Sequence, residues 1–163
     1  MEASYGEWVK VHIAVDADTQ EIIAECTTES IVADSTVAKK LLHAIPGKIE
    51  SVLADGAYDK KSGRSAVQQV GARELIPPPR NARYRRTNSD RDQAIAAIRG
   101  LGGDVEARSI WGKLSGYSRR VLVETAFSRK KRLFGEKLFS KSLDKQGTEN
   151  TARCILLNQM RMR

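Results

Sequence analysis

The sequence predicts an α/β fold in which helices flank a mixed sheet. Two segments near the start alternate apolar and polar residues, as half-buried strands do. A short apolar run rich in β-branched residues ends abruptly in Asp55-Gly56, and segments with helical periodicity lie between and after these strands. Because strands alternate with helices along the chain, we expect the helices to cover the sheet. A length of 163 residues suits one domain.

Four strands are expected in the first half of the chain. Residues 8–15 (WVKVHIAV) and 21–28 (EIIAECTT) alternate in polarity, and residues 16–19 between them are turn formers, so the two predict a β-hairpin. Residues 49–54 (IESVLA) predict a third strand. A brief fourth strand, residues 74–76, is closed by three prolines that cannot continue a ladder.

Five helices are predicted, in residues 34–44, 60–70, 90–99, 118–134 and 148–160. Asp34-Ser35 and Ser89 are of the types that cap helix N-termini. Gly71 ends the second helix, and several glycines from Gly100 onward break the third. The segment from Arg80 to Asn88 is basic and irregular, which predicts a loop.

The charge distribution favours a polyanionic partner. The net charge is +8, and the segment from Lys113 to Lys141 contains nine basic residues against two acids. A second cluster surrounds Tyr84 and consists of Arg80, Arg83, Arg85 and Arg86. Binding of basic side chains to phosphates releases condensed counterions, so nucleic acid is the expected partner. The alternative is a solvated basic surface without a ligand.

The sequence indicates a cytoplasmic protein without a thiol or imidazole metal site. No apolar run approaches the roughly 20 residues needed to cross a bilayer, and the N-terminus does not resemble a signal peptide. Cys26 and Cys154 lie far apart and form no metal-binding spacing, which predicts two buried or idle thiols in a reducing compartment. His12 and His43 are equally isolated.

Four residues with chemically active side chains are spaced along the sequence as residues on one face of an α-helix would be. Tyr117, Arg120, Glu124 and Lys131 are separated by 3, 4 and 7 residues. At about 100° per residue on an α-helix, all four fall on one narrow face. That face would hold one carboxylate between two cations and a phenol. Metal-dependent chemistry on nucleic acid needs a carboxylate with phosphate-binding groups beside it. The alternative for Glu124 is an ordinary ion pair with Arg120.

Asp55 is a second candidate acid. It follows an apolar strand directly, and sites in α/β sheets usually lie beyond the carboxyl ends of strands. A carboxylate there is a plausible Mg²⁺ ligand, because Mg²⁺ takes oxygen ligands and is commonly held by one or two carboxylates plus substrate phosphate. The competing interpretation is that Asp55-Gly56 forms only a turn.

Five collinear strings resemble the catalytic core of bacterial insertion-sequence DDE transposases, in the group with a Y-R-E-K signature. They are the hairpin WVKVHIAVDADTQEIIAE, LADGAYD, LIPPPR, the spacing Tyr-x₂-Arg-x₃-Glu-x₆-Lys and the closing ARCILLNQM. The resemblance runs from Trp8 to Met160. It implies a ribonuclease H-like fold that holds three carboxylates and two divalent ions, Mg²⁺ or Mn²⁺.

The resemblance also assigns residues. Asp55 corresponds to the second catalytic acid and Glu124 to the third, and both would hold metal. The DNA-binding side chains would be Tyr117, Arg120, Lys131, Arg119, Lys130, Arg83, Arg85 and Arg86. Water would first free a 3′-hydroxyl at a transposon end, and that hydroxyl would then attack target DNA. The other expected partner is a further copy of the chain or a full-length transposase, near the bacterial nucleoid.

The chain departs from the family pattern at its start. The first acid of the family lies on an initial strand, but residues 1–7 contain no Asp and predict no strand. Asp16 and Asp18 lie in the hairpin turn, the wrong end of a strand for a ligand beside Asp55. We therefore expect residues 1–163 to form a single, N-terminally truncated catalytic domain that lacks its first strand and has impaired activity.

Two alternatives remain open from the sequence. One is a catalytically inert remnant that binds DNA or regulates a full-length transposase. The other is an unrelated basic nucleic-acid-binding protein, for which Asp55 and Glu124 would have no role.

Overall fold

A computed structural model describes residues 8–161, which form four strands and six α-helices. These residues divide into two compact units. The first unit contains residues 8–45 and 122–161, and the second contains residues 46–121. The prediction that residues 1–7 form no strand lies outside the described residues. The prediction of one domain over 1–163 stays a prediction.

The first unit is built on a β-hairpin. Strand β1 (Val9–Val15) pairs antiparallel with β2 (Ile22–Glu29), and the register shifts at Ala14/Val15. In the connecting turn, Asp16 Oδ1 accepts hydrogen bonds from the amides of Asp18 and Thr19. Short polar side chains stabilise turns in this way. The predicted hairpin is therefore confirmed.

Three helices pack in this first unit. Helix α1 (Asp34–Ala44) buries an apolar stripe against the hairpin, and α5 (Val121–Phe134) and α6 (Leu143–Arg161) complete the unit. The main core consists of Ile13, Ile22, Ala126, Cys154 and Leu157. The α1 cap prediction was wrong, because the N-cap is Ala33 and Asp34 lies in the first turn. There its negative charge faces the positive end of the helix dipole.

The second unit contains a parallel pair of strands. Strand β3 (Ser51–Leu53) pairs with β4 (Arg73–Leu75), and helix α2 (Lys61–Gln69) makes the connection between them. Helix α3 (Asp90–Gly100) packs against β4 and against α4 (Val105–Ser115). Their shared core consists of Ala94, Ile98, Ala107 and Trp111, with Tyr117 packed against it.

The mixed α/β content is as predicted, but the single mixed sheet is not. Among residues 8–161 the strands form two separate two-stranded sheets. Alternation predicts which segments are strands, but pairing depends on contacts between distant segments that periodicity does not encode. Helix α4 was not predicted. Helix α6 begins five residues earlier than predicted, since Gly147 lies inside it. No helix in residues 8–161 is long and apolar enough to span a membrane.

Candidate nucleic-acid interface

The most basic surface of the second unit is a loop that follows β4 and its prolines. We call residues 80–88 the arginine loop. Its four arginines, Arg80, Arg83, Arg85 and Arg86, are all exposed. Their guanidinium groups donate no hydrogen bond to any part of the chain that the structure describes. Four unneutralised cations on one short loop are suited to a phosphate-rich ligand.

One carboxylate at the start of α3 holds the centre of the arginine loop. Asp92 Oδ1 accepts from the amide of Arg85 at 3.0 Å, and Oδ2 accepts from the amide and hydroxyl of Thr87 at 2.8 Å each. Asp92 is itself buried. The amide donors of Arg85 and Thr87 favour the charged carboxylate, so they lower the pKa of Asp92. Asp92 thus fixes the loop backbone without touching an arginine side chain of the loop.

Two arginines of α3 bind backbone carbonyls in the first half of the arginine loop. Arg99 Nη2 donates to the carbonyl of Ala82 at 3.0 Å, and Arg91 Nη1 donates to the carbonyl of Arg83 at 3.4 Å. The Nε of Arg91 also donates to the buried carboxylate of Asp59 at 2.9 Å, and Arg64 donates to the same oxygen at 3.0 Å. The ion pair with Asp59 orients Arg91. The arginine loop is therefore held through Arg91 by a charged network that includes Asp59 and Arg64.

A buried carboxyl group lies on β4 beside this charged network. The amide of Glu74 donates to Asp90 Oδ2 at 2.6 Å, and the side-chain Oε1 of Glu74 is buried without a hydrogen-bond partner in the described chain. Burial raises the pKa of Glu74 to about 7, with Asp59 and Asp90 adding to the rise and Arg64 and Arg91 opposing it. Glu74 is therefore partly protonated near neutral pH.

Asp55 lies at the same edge of the parallel pair as the start of the arginine loop. It follows β3 by two residues, and the loop follows β4, whose Leu75 pairs with Leu53. The carboxyl ends of parallel strands meet at one edge of a sheet, which is the usual place for sites in α/β folds. Asp55 is exposed, and its Oδ1 accepts from the amide of Ala57 at 2.9 Å as the N-cap of a 3₁₀ helix, Gly56–Tyr58. Asp55 therefore has a turn-forming role whether or not it also binds a ligand.

The four residues of the Y-R-E-K spacing do not share one α-helix, contrary to the prediction. Tyr117 and Arg120 lie on a 3₁₀ helix, Tyr117–Arg120, and α5 begins only at Val121. A 3₁₀ helix turns by about 120° per residue instead of 100°, so a uniform α-helical projection does not hold. The ring of Tyr117 packs on Trp111 with centroids 5.5 Å apart. Gly116, with a φ of +82°, ends α4 just before this segment.

The basic residues of α5 differ in exposure. Glu124 and Lys131 are exposed, and Lys131 forms an ion pair with Glu136. Lys130 is buried at 8% exposure, and burial is the main cause that lowers its pKa. Lys130 is therefore much less exposed than Lys131. Arg119, just before α5, is exposed.

Comparison with known proteins identifies the family. A family model described as a transposase DDE domain matches residues 3–159. The chain belongs to the transposase DDE domain family. No solved structure matches the chain. Membership makes DNA the partner of this transposase domain, and the basic surface of the arginine loop agrees with such a partner.

The described residues of the transposase domain do not by themselves form an ion site. Carboxylate oxygens such as those of Asp55 and Glu124 suit Mg²⁺ chemically. However, residues 8–161 contain no group of three His, Cys, Asp or Glu side chains that could hold a metal ion. Asp55 and Glu124 also belong to different compact units. The donor type fits a divalent ion, which one or two carboxylates and a substrate phosphate would hold together.

Sequence reasoning found the arginines of this transposase domain but missed the residues that position them. Asp92, Asp59, Arg91 and Arg99 were not singled out. A signal was present, since Ser89 and Asp92 form the Ser-x-x-Asp pattern of a capping box. Ser89 Oγ does accept from the amide of Asp92, at 3.3 Å. The Asp92 carboxylate, however, reaches the loop amides of Arg85 and Thr87, which only the folded loop brings near.

Proposed function

We propose that this domain acts on DNA as an insertion-sequence transposase of the Y-R-E-K group, cutting strands at element ends and joining them to a target. The observation that carries the proposal is the placement of Asp55 at the sheet edge from which the arginine loop also departs. An exposed carboxylate after β3 and four unneutralised guanidinium groups on the loop that follows β4 suit a reaction on a phosphodiester. The proposed fold is ribonuclease H-like.

The proposed roles follow from exposure and charge. Asp55 and Glu124 are exposed acids and serve as two of the catalytic carboxylates. Among the exposed cations, Arg83, Arg85 and Arg86 bind DNA phosphates, and Arg119 and Lys131 are two further DNA-binding residues. Arg120 is half-buried and contacts DNA from the 3₁₀ helix. Tyr117 on the same 3₁₀ helix packs on Trp111 and positions nearby DNA.

The proposed cofactor is Mg²⁺ or Mn²⁺, two ions in the complete enzyme. When bound, such ions stabilise charge on the attacking and leaving oxygens of an in-line phosphoryl displacement. Asp55 and Glu124 would supply two carboxylates, and the third carboxylate that the resemblance implies would be a further ligand. Another copy of the chain or a full-length transposase would be a source of that ligand, and the proposed place of action is the bacterial nucleoid.

A second candidate is DNA binding without cleavage. It is favoured by the lack of a three-ligand group of His, Cys, Asp or Glu in residues 8–161. Such a protein would occupy element ends and compete with an active transposase. The two candidates predict the same DNA affinity and differ only in chemistry.

Strand cleavage in vitro distinguishes the two candidates. The chain is incubated with labelled element ends and Mg²⁺ or Mn²⁺, alone and with an added N-terminal segment that carries an Asp-Ser-Thr-like string. A transposase frees a 3′-hydroxyl at the element end, and both Asp55→Asn and Glu124→Gln abolish cleavage. Cleavage that survives Glu124→Gln would overturn the site assignment.

DNA binding needs its own control. Arg85→Ala should weaken binding to duplex DNA and reduce the dependence of affinity on salt, since each phosphate contact contributes roughly one unit of slope. Arg73→Ala is the matched control, because Arg73 is an exposed arginine of the same unit outside the arginine loop. If both substitutions change the salt slope equally, the arginine loop has no specific role in binding.

A further inference from the structure

One aromatic side chain of the arginine loop is partly exposed to solvent. Tyr84 lies between Arg83 and Arg85 and is 45% exposed. Large aromatic side chains contribute most to stability when buried. Tyr84 lies in the sequence between cations that have no acid partner in the described chain. An exposed ring in this setting is suited to a ligand that offers both flat apolar surfaces and phosphates.

The backbone that carries Tyr84 is held on both sides. The carbonyls of Ala82 and Arg83 accept from Arg99 and Arg91, and the amides of Arg85 and Thr87 donate to Asp92. Ala82 is buried and anchors the preceding turn. All of these partners lie on α3. The loop is therefore a preorganised support, which lowers the entropy lost when a ligand binds.

We propose that the arginine loop binds an unpaired DNA strand, with Tyr84 stacked on a base and Arg83, Arg85 and Arg86 on the adjacent phosphates. Stacking on an aromatic ring needs a free base face, and the base faces of an intact duplex are already stacked on each other. Rings set in a positively charged groove are the usual means of binding single strands without reading their sequence. This inference rests on the proposed function, in which DNA strands are opened at element ends.

The test compares three ligands of equal phosphate count with the full chain. They are a single-stranded oligothymidine, a duplex of the same length, and an abasic single strand that keeps the backbone and lacks the bases. Stacking on one aromatic ring changes affinity by about 5- to 150-fold when it is lost. Tyr84→Leu should therefore weaken binding of the oligothymidine within that range, and should change the affinity for the duplex and the abasic strand less than about twofold.

Two further variants separate stacking from folding. Tyr84→Phe keeps the ring and should bind the oligothymidine like the parent. Tyr84→Trp should show fluorescence quenching on binding the oligothymidine, and no quenching with the abasic strand. Thermal melts that match the parent establish that each variant is folded.

The outcomes also separate this inference from the function on which it rests. If the chain binds duplex DNA but Tyr84→Leu leaves oligothymidine affinity unchanged, the stacking inference is wrong and the proposed function stands. If Tyr84→Leu weakens all three ligands equally, Tyr84 acts on the loop and not on a base, which also overturns the inference. If the parent chain binds none of the three, both proposals fail.

Discussion

The side chain of Asn158 forms two hydrogen bonds with the backbone of Ile22. Its Oδ1 accepts from the amide of Ile22 at 3.0 Å, and its Nδ2 donates to the carbonyl of the same residue at 2.9 Å. The two residues are 136 positions apart. The amide group of Asn158 thus takes the place of a neighbouring strand at the start of β2, and it joins α6 to the hairpin.

Removal of this amide group should destabilise the first unit. Asn158→Leu leaves both backbone groups of Ile22 without partners, and an unsatisfied buried group costs about 1–3 kcal/mol. We expect Asn158→Leu to lower the free energy of unfolding by about that amount in urea titrations. Gln159→Leu is the control, since Gln159 is exposed on the same helix and should change stability by less than about 0.5 kcal/mol. Equal effects of the two substitutions would contradict the role given to Asn158.

Gly63 should not tolerate a side chain. A Cβ atom at this position in α2 would clash with the backbone carbonyl of Tyr58. Overpacking against backbone typically costs about 1–3 kcal/mol, so Gly63→Ala should lower the unfolding free energy by that amount. Gly147 lies inside α6 with nothing within 4 Å of its Cβ position. Gly147→Ala should therefore stabilise the protein by up to about 1 kcal/mol, by helix propensity alone. Circular dichroism melts of the two variants should shift in opposite directions.

Glu74 should make stability fall as the pH rises from about 4.5 to about 7. Its pKa is about 7 in the folded protein and 4.5 in the unfolded chain, so between these values the folded state binds more protons. Stability is then lost as pH increases. Each pKa unit corresponds to about 1.4 kcal/mol, which gives a loss on the order of 2–3 kcal/mol. Urea titrations across this range measure it.

The matched variant for this prediction is Glu74→Gln, which does not titrate. Burial lowers the pKa of His12 below 6.5, so His12 contributes the opposite slope over part of the same range. That contribution is present in both proteins and cancels when their stabilities are subtracted. If the difference in unfolding free energy between the parent and Glu74→Gln stays constant from pH 4.5 to pH 7, Glu74 does not titrate as described.

Asp92 should control the order of the arginine loop. In Asp92→Ala the amides of Arg85 and Thr87 lose their acceptors, and we expect both to exchange with deuterium at least about tenfold faster. The affinity for oligothymidine should fall as well, because the loop is no longer preorganised. Since the pKa of Asp92 is lowered, its contribution in the parent is present above pH 3.8 and is lost as the pH falls through the folded value. Unchanged exchange at Thr87 would rule out this role.

Substitutions of Asp55 should distinguish its role as a helix N-cap from its proposed role as a catalytic acid. Asn caps helices about as well as Asp, so Asp55→Asn should keep the hydrogen bond to the amide of Ala57 and the parent stability. Asp55→Ala should lower the free energy of unfolding by about 0.5–2 kcal/mol. Both should lack strand cleavage if Asp55 is a catalytic acid. Parent-like cleavage by Asp55→Asn, measured under conditions where the parent is active, would leave Asp55 with the capping role alone.

Local patterns were sufficient for much of the fold. The hairpin, α1, α2 and α3 lie within about two residues of their predicted bounds, because alternation, apolar periodicity and capping act over a few residues. Ser89 caps α3 as its residue type indicates. The 3₁₀ helix at Tyr117–Arg120 was not predicted, since one turn of either helix type gives the same apolar spacing.

The sequence by itself determined the mixed α/β content, the basic charge and the collinear strings that indicate a transposase. These properties depend only on the residue types and on their spacing over short stretches of the chain. Only the tertiary structure decided that the strands form two separate pairs, that Lys130 is buried, and that Asp92, Arg91 and Arg99 hold the arginine loop. Strand pairing, burial and side-chain contacts depend on segments distant in the chain, and no local pattern specifies which of them meet.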